Sequence, residues 1–168
     1  MPGLRFSQGT DLAIHGLWAL ACLETGRFIL LSDIASRQHV SESYLSKVFQ
    51  KLTRAGLTRA MRGKRGGYTL ARPPAQISLG DVVRAMDPEP PMYQCLARER
   101  CCEAMANCLL LRVFAEAERH MYAVLDRVTL ADLLTDVLRG EKPMGWIQLA
   151  MTAATIHETP QPTPPSSL

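Results

Sequence analysis

The chain has 168 residues, of which 47% are hydrophobic and 21% charged, so it can bury a core of one compact domain and is not a disordered chain. Its formal net charge of +3 is unremarkable, and its longest apolar run, Leu17–Leu23, is far too short to cross a bilayer. Aromatic residues make up only 6%, and leucine and alanine carry the hydrophobic weight, which favours helices packed on helices. No basic region followed by an apolar run and a small-residue cleavage site is visible, so a cytoplasmic protein is expected.

Ser7, Thr10 or Asp11 can cap a first helix reaching about Glu24, before Gly26. Leu12, Ile14, Leu17, Trp18, Leu20, Ala21 and Leu23 give it the broad stripe of a core helix. Ser32 is a suitable cap for a short second helix, Asp33–Gln38. After His39 and Val40, Ser41 caps a third helix of about Glu42–Ala55. There Tyr44 or Leu45, Val48, Leu52 and Ala55 recur at helical spacing, and Gly56 supplies the stop.

The period then changes. Leu57, Arg59 and Met61 alternate with Thr58, Ala60 and Arg62, ahead of a glycine-rich cationic tip at 63–67 and a second strand at 68–70. Pro73 and Pro74 end it. Ser78 and Leu79 open a helix to about Met86, and Pro88–Cys108 reads as an irregular loop. Leu109–Val128 is one long helical pattern with Leu110, Val113, Phe114, Ala117, Met121, Val124 and Leu125 on one side. Thr129 caps Leu130–Leu138, Trp146–Ile156 has a short apolar pattern, and the proline-rich tail from Glu158 is expected to be disordered.

Two helices joined by a short turn and followed at once by a β-hairpin form a winged helix–turn–helix. The fold expected is therefore mainly α with a small β-hairpin wing. Charge falls on the same elements. From Arg37 to Arg72 there are nine bases and one acid, Glu42, a net of +8 that leaves −5 for the rest. A cationic face on a mildly acidic body suits double-stranded DNA. The second helix of such a motif enters the major groove by its N-terminal end, here Ser41, Ser43, Tyr44, Ser46 and Lys47. The wing offers Arg62, Gly63, Lys64 and Arg65 to the minor groove or backbone.

Four of the five cysteines, Cys95, Cys101, Cys102 and Cys108, fall within fourteen residues and among polar neighbours, which core packing does not explain. Thiolates bind soft and borderline metals and iron–sulfur clusters. Zinc sites favour tight Cys-x-x-Cys knuckles, and none occurs here. A cluster-free thiol switch is the alternative, with Cys101 or Cys102 pairing to Cys95 or Cys108. Cys22, on the apolar face of the first helix, reads as a small buried hydrophobe. No nucleotide-binding glycine loop or base–nucleophile set points to an enzyme.

From about Leu4 to Leu138 the sequence resembles the bacterial winged-helix regulators typified by IscR and NsrR. The resemblance is carried by Ser-Glu-Ser-Tyr-Leu-Ser-Lys at 41–47, Arg-Ala-Gly-Leu at 54–57 and Arg-Gly-Lys-Arg-Gly-Gly-Tyr at 62–68. Ile-Ser-Leu-Gly-Asp-Val-Val at 77–83, the cysteine loop and Thr-Leu-Ala-Asp-Leu-Leu at 129–134 add to it. It implies a homodimer on a palindromic promoter site, with the long helix crossing its partner, and a [2Fe–2S] or [4Fe–4S] cluster on three loop cysteines. In the biogenesis branch a histidine three residues after the last cysteine is the fourth ligand; here that position is Leu111. Nitric-oxide sensors of this type resemble Thr-Asp-Leu-Ala at 10–13, where an aspartate of the other subunit completes the cluster. This implies Asp11 as fourth ligand, with His15 one turn on as neighbour or substitute; the plainer role of Asp11 is a first-turn acid. The expected organisation is a DNA-binding domain at 1–88, a cysteine-rich sensor loop at 89–108, dimerisation and C-terminal helices at 109–140, and an extension at 141–168.

Overall fold

The computed structural model describes residues 6–23, 27–61, 63, 66–87 and 108–138. Its helices are α1 (Gln8–Ala21), α2 (Leu31–Arg37), α3 (Glu42–Arg54), α4 (Leu79–Met86), α5 (Leu109–Leu125) and α6 (Leu130–Leu138). A hairpin of β1 (Thr58–Met61) and β2 (Gly67–Leu70) follows α3, and a 3-10 turn at Pro74–Gln76 leads to α4. The expected winged helix–turn–helix is present.

Ser7 is the cap of α1: its Oγ accepts from the Thr10 N–H at 3.2 Å. The helix stops at Ala21 with Cys22 as its C-cap, short of the expected end. Cys22 is half-buried, and burial raises its thiol above the ordinary value. Helix α2 starts at Leu31, two residues before the expected Asp33, and Ser32 does not cap it. The reason is tertiary. Ile29 pairs with Tyr68 by Ile29 N–H to the Tyr68 carbonyl at 3.0 Å and Tyr68 N–H to the Ile29 carbonyl at 2.8 Å. That bridge holds the chain extended up to Leu30, and the helix begins as soon as it is released.

Ser41 caps α3, its Oγ accepting from the Tyr44 N–H at 3.4 Å. The buried stripe is Leu45, Val48, Phe49 and Leu52; of the two alternatives at its start the structure selects Leu45, while Ala55 is exposed. Gly16 of α1 makes the close crossing, since a Cβ there would lie 2.9 Å from the Phe49 ring. The Phe49 ring also meets Tyr68 edge-on, with centroids 4.7 Å apart, which ties α3 to the wing.

The hairpin is antiparallel, with Thr58 opposite Leu70 and Met61 opposite Gly67. The expected alternation fails at its start, because Leu57 and Thr58 are both buried; Thr58 is satisfied by the Thr53 hydroxyl at 2.9 Å. Gly67 has φ +150°, and a Cβ on it would collide with the Ile29 carbonyl. An isolated bridge at Ile29 thus adjoins the two-stranded sheet at the base of the wing.

Ser78 and Asp81 cap α4 reciprocally, the Asp81 N–H donating to Ser78 Oγ at 3.0 Å and the Ser78 N–H to Asp81 Oδ2 at 3.3 Å. Thr129 caps α6 in the same way with Asp132. Leu130 donates its N–H to the Ile77 carbonyl at 3.0 Å, and its side chain is fully buried with Leu12, Leu17, Ile77 and Val82. Helix α6 therefore returns to the DNA-binding head. Helix α5 meets the head only near its C-terminal end: it has no buried residue, and Leu109, Leu110, Val113 and Val124 are all more than half exposed. No helix among the described residues is long and apolar enough to cross a membrane.

Candidate nucleic-acid interface and sensor segment

The N-terminal half of α3 is the open face of the motif. Ser41, Ser43 and Lys47 are exposed, Ser46 is half-buried, and the Ser41 and Ser43 hydroxyls lie 3.4 Å apart. Tyr44 is exposed at 38%, yet its hydroxyl lies over α1, 3.9 Å from where a Cβ on Gly9 would sit. Gly63 is exposed with φ +113°, a conformation that suits a wing tip. Arg62, Lys64 and Arg65 lie outside the described residues.

The bases of the cationic stretch are not equivalent. Lys51 donates to the Met86 carbonyl at 3.1 Å and so closes the C-terminal end of α4. Arg72 reaches Asp81 at 3.4 Å, and Arg59 reaches the Ala71 carbonyl at 3.5 Å. Lys47, one turn before Lys51, is exposed on the face that carries Ser43. Counting charges in the sequence could not separate these roles.

Of the expected cluster ligands, Cys95, Cys101 and Cys102 lie outside the described residues. Cys108 is half-buried at the N-cap of α5 and supplies no side-chain hydrogen bond to that helix. Asp11 stands in the first turn of α1 with 68% of its side chain exposed, 3.5 Å from His15 Nδ1. Of the two described candidates the carboxylate is exposed and the thiol half-buried, and among the described residues no three His, Cys, Asp or Glu side chains come together as a metal site. Soft sulfur with one oxygen donor fits an iron–sulfur centre.

Each end of the cysteine-bearing stretch meets an anchored element. At the near end, Asp87 Oδ2 accepts from the Ser7 N–H at 2.9 Å and the Thr10 hydroxyl at 2.7 Å. Burial pushes the Asp87 carboxyl up, but these bonds and the charge of Lys51 outweigh it and leave the group below its ordinary value. Beyond the far end, α5 is fastened at its C-terminus, where Arg84 of α4 grips Asp126 through two bonds of 2.7 Å. The same guanidinium lies 4.4 Å from the centre of the Tyr122 ring. Nothing local in the sequence signals either joint.

Comparison with known proteins decides the family. The family model for Rrf2, described as an iron-dependent transcriptional regulator, matches residues 6–136. The chain belongs to the Rrf2 family. It is 36% identical over 126 residues to the protein rrf2 of Nitratidesulfovibrio vulgaris, covering 75% of this chain and 79% of that one. Among solved structures, T. potens IscR superposes with a TM-score of 0.64 at 29% identity, covering 87% of this chain and 97% of its own. CymR of B. subtilis, the global cysteine regulator of that organism, gives 0.60 at 28% identity, over 79% and 97%. This Rrf2 protein is accordingly a DNA-binding transcriptional regulator and not an enzyme.

Proposed function

We propose that this Rrf2 protein is a cytoplasmic homodimeric regulator, acting as a repressor, whose affinity for a palindromic promoter site is set by an iron–sulfur cluster. Cys95, Cys101 or Cys102, Cys108 and Asp11 would hold the cluster, with Asp11 contributed by the other subunit. When bound, it supplies a centre that reacts with nitric oxide or oxidants and is lost when iron is scarce. The proposed parts are a DNA-binding head at 1–88, a sensor segment at 89–108, the two helices at 109–140 and an extension at 141–168. The observation that carries this reading is the placement of Cys108 at the head of α5, a helix with an apolar exposed side and its far end fastened to α4.

Each chain residue has a task in this scheme. Ser41, Ser43, Tyr44, Ser46 and Lys47 face the major groove, and Arg62, Gly63, Lys64 and Arg65 the adjoining backbone or minor groove. Leu110, Val113 and Val124 cover the partner helix, which supports the dimer that a palindrome requires.

The test is anaerobic purification with iron and sulfide analysis and a visible absorption spectrum. A coloured protein binding iron and sulfide is expected, with colour and iron lost in Cys108→Ala. A colourless, iron-free protein after reconstitution would reject the cluster. In that case mass spectrometry of the oxidised chain would decide whether Cys101 or Cys102 pairs with Cys95 or Cys108.

A further inference from the structure

The last described residue before the cysteine-bearing segment is Asp87, and two helices, α1 and α3, converge on it and its neighbour Met86. Helix α1 supplies the Ser7 N–H at 2.9 Å and the Thr10 hydroxyl at 2.7 Å to the Asp87 carboxylate. Recognition helix α3 supplies the Lys51 ammonium to the Met86 carbonyl at 3.1 Å. Its Tyr44 hydroxyl and the Met86 methyl both crowd Gly9 of α1, at 3.9 and 3.0 Å from the position of an added Cβ. Thr10 is fully buried, whereas serine and threonine hydroxyls at helix starts ordinarily face solvent. Its side chain spans from the cap residue Ser7, 3.4 Å away, to Asp87.

Thr10 also precedes Asp11, which projects to solvent from the same turn. One hydroxyl therefore links the turn carrying a proposed ligand to the root of the proposed sensor segment. The adjacent residue of that root holds the recognition helix. The Thr10 hydroxyl makes the shorter of the two bonds that tie the start of α1 to Asp87, the Ser7 N–H making the other, and a displacement passes between elements through such contacts only while they exist.

We infer that Thr10 and Asp87 are positioning residues for regulation: their hydrogen bond passes the state of the cysteine-bearing segment to the DNA-reading helix. This rests on the proposed function above. Neither residue need touch DNA or a cluster. Losing the bond should uncouple sensing from DNA binding without abolishing either.

The experiment uses full-length dimer in two states, reconstituted anaerobically with iron and sulfide, and after iron removal by a chelator. DNA affinity is measured in both, for the parent, Thr10→Val, Thr10→Ser and Asp87→Ala. A parent affinity ratio of about 5- to 150-fold between states is the usual range of allosteric coupling. Thr10→Val keeps the buried volume and removes the donor, so its ratio should fall below about twofold at unchanged iron content. Thr10→Ser keeps the hydroxyl and should restore the parent ratio, a rescue that mere loss of packing would not give. Asp87→Ala removes the acceptor and should follow Thr10→Val, and it covers the case in which the valine variant fails to fold. If the parent responds and both bond-loss variants respond equally well, the inference is overturned while the function stands. A parent that binds DNA identically in both states would overturn both.

Discussion

Lys47 and Lys51 sit one turn apart on α3, and their environments assign them opposite fates. Lys47 is exposed beside the recognition-helix serines; Lys51 is engaged with the Met86 carbonyl at 3.1 Å. Replacing each by glutamine removes the same charge from the same helix. Only Lys47→Gln should remove a phosphate contact, two in the proposed dimer. With about 0.9 counterions released per contact, the salt slope of DNA binding should fall by about 1.8. Between about 50 and 200 mM salt the parent should therefore lose about 12-fold more affinity than the Lys47 variant does. Lys51→Gln should leave that slope within experimental error of the parent's and instead lower the thermal midpoint, because the α4 terminus loses its cation. Fluorescence anisotropy with a labelled duplex over a salt series reads both slopes. Equal slope changes in the two variants would refute the assignment.

Other expectations follow from the packing. Leu130→Ala should destabilise the protein by about 2–5 kcal/mol in urea unfolding, because Leu130 is fully buried among residues of the DNA-binding head; a loss under about 1 kcal/mol would mean that α6 is peripheral. Gly67→Ala should cost about 1–3 kcal/mol through its positive φ and the Ile29 carbonyl, and should weaken DNA binding more than circular dichroism would suggest. Asp87, Asp126 and Asp132 all sit below the ordinary carboxyl value of 3.8, so each stabilises the fold fully above that value and loses its contribution as pH falls through it toward the lower folded value. The unfolding midpoint should thus drop on the acid side of pH 4, and Asp87→Asn should make that drop shallower; an identical acid limb would show that the Asp87 bonds contribute nothing.

Signals confined to a few residues were legible in the sequence. Ser41, Ser78 and Thr129 cap the helices expected of them, because capping is decided within three residues. The change from helical to strand period after Gly56 marked the wing for the same reason. What escaped was set by partners far away along the chain. Ile29 ends up beside Tyr68 and displaces the start of α2, and Asp87 finds Thr10 across 77 residues. Neither contact leaves a periodic trace. The charge excess falls on α3 and the hairpin, but Lys51 and Arg72 are spent on α4, a distinction only the packing reveals. The proposed cysteine site rests on residue type alone, since Cys95, Cys101 and Cys102 lie outside the described residues, whereas the joint between Thr10 and Asp87 has no trace in the sequence.

The most direct measurement is the affinity of the anaerobically prepared dimer for its promoter duplex before and after a stoichiometric addition of nitric oxide, with the visible spectrum recorded alongside. Bleaching of the cluster together with a loss of DNA affinity of about fivefold or more is the expected result. A spectrum that bleaches while affinity stays constant would contradict regulation through the cysteines.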